Sequence, residues 1–172
     1  MKYMSAAEAV KLIESGESLY IQGSTSIPEI LCQALADRGL ELKDITVYAA
    51  FAVGRCEAPF CRPEYKDVFN VKSLFVANNI RRWLAEGYGS TIPAFLGEIP
   101  GLFRDGTLPL DVALLNVSLP NEEGYCSYGI SADLAVSAVE CARKIIVQVN
   151  KAMPFSYGDA LIHVSKIDAA VE

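Results

Sequence analysis

The stretch Ser18–Gly39, which reads SLYIQGSTSIPEILCQALADRG, carries the pattern that decides the fold. Its first residues predict a short strand, Ser18–Gln22, and the turn Gly23–Ile27 follows directly. Pro28 then stands where proline is common, at the first position of a helix, and that helix ends at Gly39. A strand, a tight turn and a helix in this order are typical of proteins that connect parallel strands through helices.

The same alternation continues through the chain. Further strands are predicted at Ile45–Phe51, Leu74–Ala77, Asp111–Val117, Lys144–Val149 and Leu161–Val164. Helices are predicted at Ser5–Ile13, Asn79–Glu86, Ala94–Phe103 and Ala132–Ala142. Ser5 and Glu8 have the spacing of a capping box at the start of the first helix. We therefore expect one α/β domain, residues 1–172, with a mostly parallel open sheet flanked by helices.

Composition and charge exclude several classes of protein. Of the 172 residues, 52% are hydrophobic and 21% charged, which excludes intrinsic disorder. The net charge of −6 and the lack of a polybasic stretch argue against nucleic-acid binding. No apolar run is long enough to cross a membrane, and no secretory signal begins the chain. Five scattered cysteines and a single histidine predict reduced thiols, no metal site and a cytoplasmic protein.

The functional loops of a parallel sheet lie at the carboxyl ends of its strands. In this sequence four segments are expected there: Gly23–Ile27, Phe51–Arg55, Asn78–Arg81 and Asn150–Gly158. In the first, backbone N–H groups and hydroxyls around Gly23, Ser24 and Thr25 suit a carboxylate or phosphate. The alternative is that a Ser or Thr of this turn simply caps the following helix, and that alternative is favoured for the turn taken alone.

Polar side chains in two other segments have similar alternatives. Asn79 can cap a helix or donate its amide to a ligand oxygen, and Arg81 can clamp a carboxylate or lie free in solvent. Gln148 and Asn150 end an apolar strand with both side chains on one face, although Asn150 can instead begin a turn. His163 pairs with no nucleophile at a recognisable spacing and is interpreted as structural.

No covalent catalyst is identified in this sequence. The carboxylates at Glu98, Asp105, Glu122, Glu123 and Asp133 lie in no apolar setting that would shift their pKa values, so solvated or capping roles are expected. Glu29, one residue after Pro28, complements the dipole of the helix that begins there.

Several phrases in a fixed order carry a resemblance to a known family. They are Ile92–Pro100, Leu108–Ala113, Glu123–Ser131, Gln148–Asn150, Met153–Pro154, Gly158–Asp159 and Ile162–Ser165. From about Ser5 to Asp168 the chain resembles the N-terminal domain of the acetyl-CoA hydrolase/transferase family, which includes 4-hydroxybutyrate, butyrate–acetate and succinate CoA-transferases.

The resemblance implies an α/β fold of the CoA-transferase type with an active site between two similar domains. A glutamate of the second domain attacks the acyl-CoA thioester, so it implies no catalytic residue in the first domain. Coenzyme A or acyl-CoA is the substrate rather than a tightly bound cofactor. The first domain forms the opposite wall of the cleft, and the residues matched to that wall are Gly23, Ser24, Thr25, Asn79, Arg81, Gln148, Asn150 and Met153.

Two departures from the family pattern bear on substrate choice. The turn Gly23–Thr25 has fewer glycines than is common in CoA-transferases, which puts a close approach of CoA in doubt. Phe155 and Ser156 follow Met153-Pro154 where many relatives have Arg-Thr, so the acid substrate can differ.

Three functions remain open from the sequence. The first is the N-terminal half of a CoA-transferase acting on acetate, butyrate or 4-hydroxybutyrate, with the C-terminal catalytic domain absent from this chain. The others are half of an acyl-CoA hydrolase and a non-catalytic binding or assembly domain. We also expect an apolar surface for the C-terminal domain of the same enzyme, and a homo-oligomer.

Overall fold

The computed structural model describes residues 1–50 and 59–172. Its strands are β1 (Ser18–Ile21), β2 (Ile45–Ala49), β3 (Phe69–Ser73), β4 (Ser90–Thr91), β5 (Val112–Val117), β6 (Tyr125–Ser127), β7 (Lys144–Val149), β8 (Leu161–His163) and β9 (Ala169–Val171). Its α-helices are α1 (Ala6–Ala9), α2 (Glu29–Asp37), α3 (Asn78–Ala85), α4 (Ile99–Arg104) and α5 (Ala135–Cys141). Short 3₁₀ turns cover Val10–Leu12, Gly39–Glu41, Pro63–Tyr65 and Val164–Lys166.

Seven strands form one parallel sheet in the order β4-β3-β2-β1-β5-β7-β9. The chain runs outward from β1 through β2 to β4, then returns to the other side of β1 with β5. The strand order therefore reverses between β1 and β5, which is where parallel α/β sheets leave a crevice for ligands. Strands β6 and β8 form a separate antiparallel pair.

Both faces of the sheet are covered, so its central strands have no exposed side. All four residues of β1 and all six of β5 are buried. One core contains Leu31 and Leu35 of α2 and Ile80 of α3, and the opposite core contains Phe103 of α4 and Ala138 of α5. Helices on both faces explain why the strands read as continuous apolar runs in the sequence. None of the helices described here is long and apolar enough to cross a membrane.

The expected α/β class and the mostly parallel sheet are confirmed, and the strand Lys144–Val149 has the expected bounds. The capping box is also present, although α1 ends at Ala9 and continues only as a 3₁₀ turn. The helix expected over Ala94–Phe103 is shorter, because a turn precedes α4 and the helix begins at Ile99. The end of the strand Ile45–Phe51, the segment Phe51–Arg55 and Cys56 lie outside the described residues.

The strand predicted at Leu74–Ala77 is wrong. The strand is Phe69–Ser73, whose residues alternate between buried and more exposed positions, and Leu74–Ala77 forms the loop beyond its carboxyl end. Phe75 and Val76 make that loop look apolar, yet both are exposed. Pro28 precedes the first helical residue, Glu29, instead of occupying that position.

Three short strands were not expected. Two of them, β4 and β9, lie at the two edges of the sheet and have only two and three residues. The third, β6, lies inside the loop predicted over Ser118–Gly129 and pairs with β8. The strand expected over Leu161–Val164 is therefore outside the parallel sheet.

The N-terminal segment runs along the outer side of β9. Tyr3 forms a parallel bridge with Ala170, the Met4 N–H donates to the Ala170 carbonyl at 2.9 Å, and the Ala170 N–H donates to the Lys2 carbonyl at 2.8 Å. These bonds pair main-chain groups on the outer side of β9, which is an edge strand of the sheet.

At the amino end of the sheet, Asp111 ties β1 to β5 and β7. Its carboxylate accepts the Ser18 N–H at 2.8 Å and lies 2.6 Å from the Arg143 guanidinium. Burial acts to raise the pKa of Asp111, but the Ser18 N–H, the Ser18 hydroxyl and Arg143 outweigh it and hold the pKa below its ordinary value. A lowered pKa means that ionised Asp111 stabilises the fold above the pKa of the unfolded chain, and that this stabilisation is lost as the pH falls.

We expect Asp111→Asn to lower the free energy of unfolding by about 1–3 kcal/mol at pH 7, because the charge-assisted hydrogen bonds are lost. The difference from the parent should begin to shrink as the pH falls below about 4, the ordinary pKa of Asp in the unfolded chain, and should disappear once the pH has also passed the lowered pKa of folded Asp111. Urea denaturation at pH 7 and at low pH measures both effects. Asp67→Asn is the control, since Asp67 is exposed and makes none of these contacts. An equal loss in both variants would contradict the assignment.

Candidate functional site

The switch point at the carboxyl edge, where parallel sheets of this kind leave a crevice for ligands, begins where β1 and β5 stop pairing directly. The last main-chain bond joins the Gln22 N–H to the Leu114 carbonyl at 3.0 Å. Beyond it, the Asn116 N–H donates to the Gln22 side-chain oxygen at 2.7 Å. The Gln22 amide nitrogen donates to the carbonyls of Ser131 at 2.7 Å and Tyr128 at 3.2 Å. Sequence reasoning treated Gln22 only as a strand end, because nothing in the pattern marks a buried amide.

The turn Gly23–Thr25 borders this crevice, as expected. Ser24 has a φ of +54°, in the left-handed region that favours glycine, and the Ser26 N–H closes the turn on the Gly23 carbonyl at 3.1 Å. Ser24 is half-buried and Thr25 is exposed. Ser26 is completely buried, and its hydroxyl has no hydrogen-bond partner among the described residues.

The first turn of α2 is capped by Gln148 rather than by a hydroxyl of the preceding turn. The Ile30 N–H donates to the Gln148 side-chain oxygen at 3.0 Å. Ser or Thr capping, the favoured alternative for the turn, is therefore wrong among the described contacts. Gln148 lies on β7 directly opposite Asn116 of β5. One of its two polar atoms is thus used to hold α2.

Asn116 lies beneath the same loop. Its amide nitrogen is 3.4 Å from the Ile27 carbonyl, while its side-chain oxygen is buried and finds no partner in the part of the chain that the structure describes. Asn150, two residues after Gln148, accepts the Ala152 N–H on its side-chain oxygen at 2.9 Å. The side-chain oxygen of Asn150 therefore forms a turn, which is the alternative role considered for this residue.

Asn79 stands apart from the other predicted residues because neither polar atom of its amide is paired with a described residue. It lies in the first turn of α3, beyond the carboxyl end of β3, and both its nitrogen and its oxygen are buried with no hydrogen-bond partner within residues 1–50 and 59–172. A buried amide left unpaired costs about 1–3 kcal/mol, so such groups are rare unless a ligand or another segment completes them. Arg81 lies two residues further along α3, is exposed, and forms no ion pair within the described residues.

Met153, Ser127 and Ser156 connect the loop after β7 to the segment around Gly129. Met153 is buried against Gly129, whose φ is +68°, and a Cβ on Gly129 would overlap the Met153 sulfur. The Ser127 hydroxyl accepts the N–H groups of Gly129 at 3.0 Å and Ser156 at 2.9 Å. Met153 therefore acts here as a packing residue that joins two loops of the edge.

Titratable groups near the edge are few. Burial raises the pKa of Asp133, and the hydrogen bonds from the Leu134 N–H and the Tyr20 hydroxyl offset this only partly. The expectation that no carboxylate is shifted by its setting is therefore wrong for Asp133. His163 lies 2.8 Å from the Ser165 hydroxyl through Nδ1 and packs its ring against Tyr125. Within residues 1–50 and 59–172, no three His, Cys, Asp or Glu side chains lie close enough to hold a metal ion.

Large apolar side chains are exposed along the same edge. They follow β3, β4, β5, β6 and β7 and are Phe75, Val76, Phe95, Leu96, Leu119, Ile130 and Tyr157. A run of exposed apolar groups beside unpaired buried polar groups is typical of a surface that receives a ligand or another protein segment.

These features define an α/β domain whose candidate binding site lies at the switch point of a parallel sheet. Residues 1–172 match the sequence profile of the acetyl-CoA hydrolase/transferase N-terminal domain. The chain therefore belongs to the acetyl-CoA hydrolase/transferase family.

Characterised relatives agree with this assignment. The chain is 35% identical to 4-hydroxybutyrate coenzyme A transferase of Clostridium kluyveri over 99% of its own length and 39% of that protein's. It is 32% identical to butyryl-CoA:acetate CoA-transferase of Anaerostipes caccae over 99% of its length and 39% of the other's. The crystal structure of 4-hydroxybutyrate CoA-transferase from Porphyromonas gingivalis superimposes with a TM-score of 0.82 at 34% identity, covering 99% of this chain and 39% of that one. The chain thus spans about two fifths of the length of these relatives.

Gly129→Ala tests the packing of Met153 into the edge. We expect it to cost about 1–3 kcal/mol of unfolding free energy more than Gly158→Ala, because a new methyl group must displace Met153. Gly158 has a φ of +76°, and a Cβ added there would meet nothing within 4 Å, so its change carries only the backbone cost. Thermal or urea denaturation of both variants measures the difference. Equal losses would show that Met153 moves aside freely.

Proposed function

We propose that this protein provides the N-terminal half of a CoA-transferase, which moves CoA between an acyl-CoA and a small carboxylate such as acetate, butyrate or 4-hydroxybutyrate. The observation that carries the proposal is the similarity, over 99% of the chain, to relatives named as CoA-transferases. The apolar carboxyl edge and its unpaired buried groups support a cleft that a second domain completes. We also propose a cytoplasmic homo-oligomer without a tightly bound cofactor, in which the C-terminal domain of the same enzyme covers this edge.

The proposed reaction proceeds by acyl transfer through a glutamate of the second domain. Its carboxylate attacks the thioester carbonyl and expels CoA as the thiolate, which leaves a mixed anhydride. The thiolate then attacks the glutamyl carbonyl of the anhydride and releases the first carboxylic acid as its anion, forming a glutamyl-CoA thioester. The second carboxylate reverses these two steps and leaves as the new acyl-CoA.

Asn79 is the residue of this half that we assign to the reacting carbonyl. Its amide nitrogen is buried and has no partner in the described part of the chain, so it can donate to an oxygen that becomes negative in the tetrahedral intermediate. The turn of Gly23, Ser24 and Thr25 is proposed to line the same cleft. Arg81, exposed one turn away from the edge of the sheet, is proposed to attract the carboxylate.

Gln148, Asn150 and Met153 have a different part in the proposal. Their contacts hold α2, the turn after β7 and Gly129, respectively. We propose that they shape the wall of the cleft, and that Gln148 and Asn150 offer the substrate their amide nitrogens, since their side-chain oxygens accept the N–H groups of Ile30 and Ala152.

The proposed function is tested by mixing the 172-residue chain with a purified polypeptide of the second half of a family enzyme. CoA transfer from acetyl-CoA to butyrate or 4-hydroxybutyrate is then measured, together with release of free CoA by hydrolysis. We expect transfer only in the mixture, because the nucleophile is proposed to lie in the second half. Turnover by the 172-residue chain alone, or hydrolysis without transfer, would overturn the proposal.

Asn79→Leu separates a role in the reaction from a role in folding. We expect transfer to fall about 100-fold, since one donor to the developing oxyanion is lost. We expect the melting temperature to stay the same or to rise, because an unpaired buried amide is replaced by an apolar group of similar shape. Asn78→Leu is the control, as Asn78 is the exposed neighbour on the same helix. Unchanged transfer with Asn79→Leu would remove Asn79 from the site.

A further inference from the structure

The side-chain oxygen of Gln22 takes the place of its main-chain carbonyl as a hydrogen-bond acceptor for β5. Ile21 of β1 pairs with Leu114 of β5. If this parallel ladder continued regularly, the Asn116 N–H would donate to the main-chain carbonyl of Gln22. Here the Asn116 N–H is accepted by the Gln22 side chain at 2.7 Å instead. The two strands are therefore joined at this point through a side chain rather than backbone to backbone, and the crevice begins there.

The other end of the same amide holds the loop that follows β6. Its two N–H groups reach the carbonyls of Ser131 at 2.7 Å and Tyr128 at 3.2 Å. Gln22 is completely buried, so water does not compete for these bonds. A single side chain thus fixes the ends of β1 and β5 and the segment 128–131 relative to one another.

Only a primary amide of this length satisfies all three partners. It accepts one bond from Asn116 and donates two, whereas an ionised carboxylate only accepts and a thioether donates nothing. Asparagine offers the same groups on a side chain one carbon shorter.

We propose that Gln22 is a positioning residue that holds the segment 128–131 and the end of β5 so that the crevice beside the Gly23–Thr25 turn is formed before any ligand binds. Its effect on turnover rests on the proposed CoA-transferase function, whereas its effect on the loop does not. The residue needs no contact with substrate, because it acts through the segment 128–131 and the end of β5.

Gln22→Glu and Gln22→Met test the requirement for a donor and an acceptor together. Hydrogen exchange of the Asn116 amide and of the amides in 128–134 is measured by mass spectrometry or NMR. With Gln22→Met we expect exchange there about tenfold or more faster than in the parent, because the tie is lost at every pH. Parent-like protection in this variant would overturn the proposal.

Gln22→Glu should behave differently at low and high pH. When protonated, the new carboxyl group can accept from Asn116 and donate to Ser131, so protection should approach that of the parent. Burial beside two carbonyl oxygens favours the protonated form, and protection should fall as the pH rises and the group ionises. Low protection at every pH would show that a donor and an acceptor at this position do not hold the segment, which would contradict the role given to the hydrogen-bond pattern of Gln22.

Other ionisable side chains lie near the same point, and the design removes their effect. Among the described residues of β1, β5 and 128–134 they are Asp133, Tyr20 and Tyr128, and Tyr20 donates to Asp133 at 3.4 Å. Every exchange ratio is therefore taken against the parent at the same pH, where these groups are identical. Gln33→Glu serves as the control for a carboxyl group added elsewhere, because Gln33 is exposed on α2 and its amide donates to Asp37 at 2.7 Å.

In the reconstituted transfer assay, Gln22→Met should lower kcat/KM about tenfold or more at a temperature where the variant is fully folded. If the parent shows no transfer, the proposed function fails while the exchange data still decide the role of Gln22. If the parent transfers and the variant equals it, the positioning role in turnover is wrong.

Discussion

The burial of both faces of the parallel sheet is the constraint on which the remaining structure depends. Since β1 and β5 have no solvent-facing side, polar groups can be placed only at strand ends. The amino end is closed by the contacts of Asp111 with Ser18 and Arg143, which satisfy one another. At the carboxyl end, by contrast, Ser26, Asn79 and Asn116 have buried atoms that no described residue pairs. The asymmetry between the two ends locates the candidate site independently of any relative.

The energetic cost of those unpaired groups is informative about function. A fold stabilised by only about 5–15 kcal/mol does not retain several such groups without a compensating gain. Asn79 is the strongest case, because neither atom of its amide has a partner. Asn116 and Ser26 differ from it, since the Asn116 nitrogen still reaches the Ile27 carbonyl and both residues lie beneath the loop that begins α2.

The fold class could be predicted from the sequence, and so could the position of the candidate loops at the carboxyl edge of the sheet, because both follow from the order of apolar runs. It misplaced β3 because Phe75 and Val76 continue the apolar run into an exposed loop. It could not distinguish Gln148 as a helix cap from Gln148 as a ligand, since that depends on how α2 lies across β7. It missed Gln22 for the same reason: a hydrogen bond spanning 94 residues has no local pattern.

The bridge between Tyr3 and Ala170 has a consequence for the order in which the chain can fold. During synthesis Tyr3 is made long before Ala170, so its partner is missing until the ribosome has passed β9. Until then β7 presents an unpaired edge, which is the kind of surface at which nascent chains associate wrongly. The completion of this side of the sheet thus waits for β9, and the N-terminal segment can pair with the sheet only after that strand has joined it.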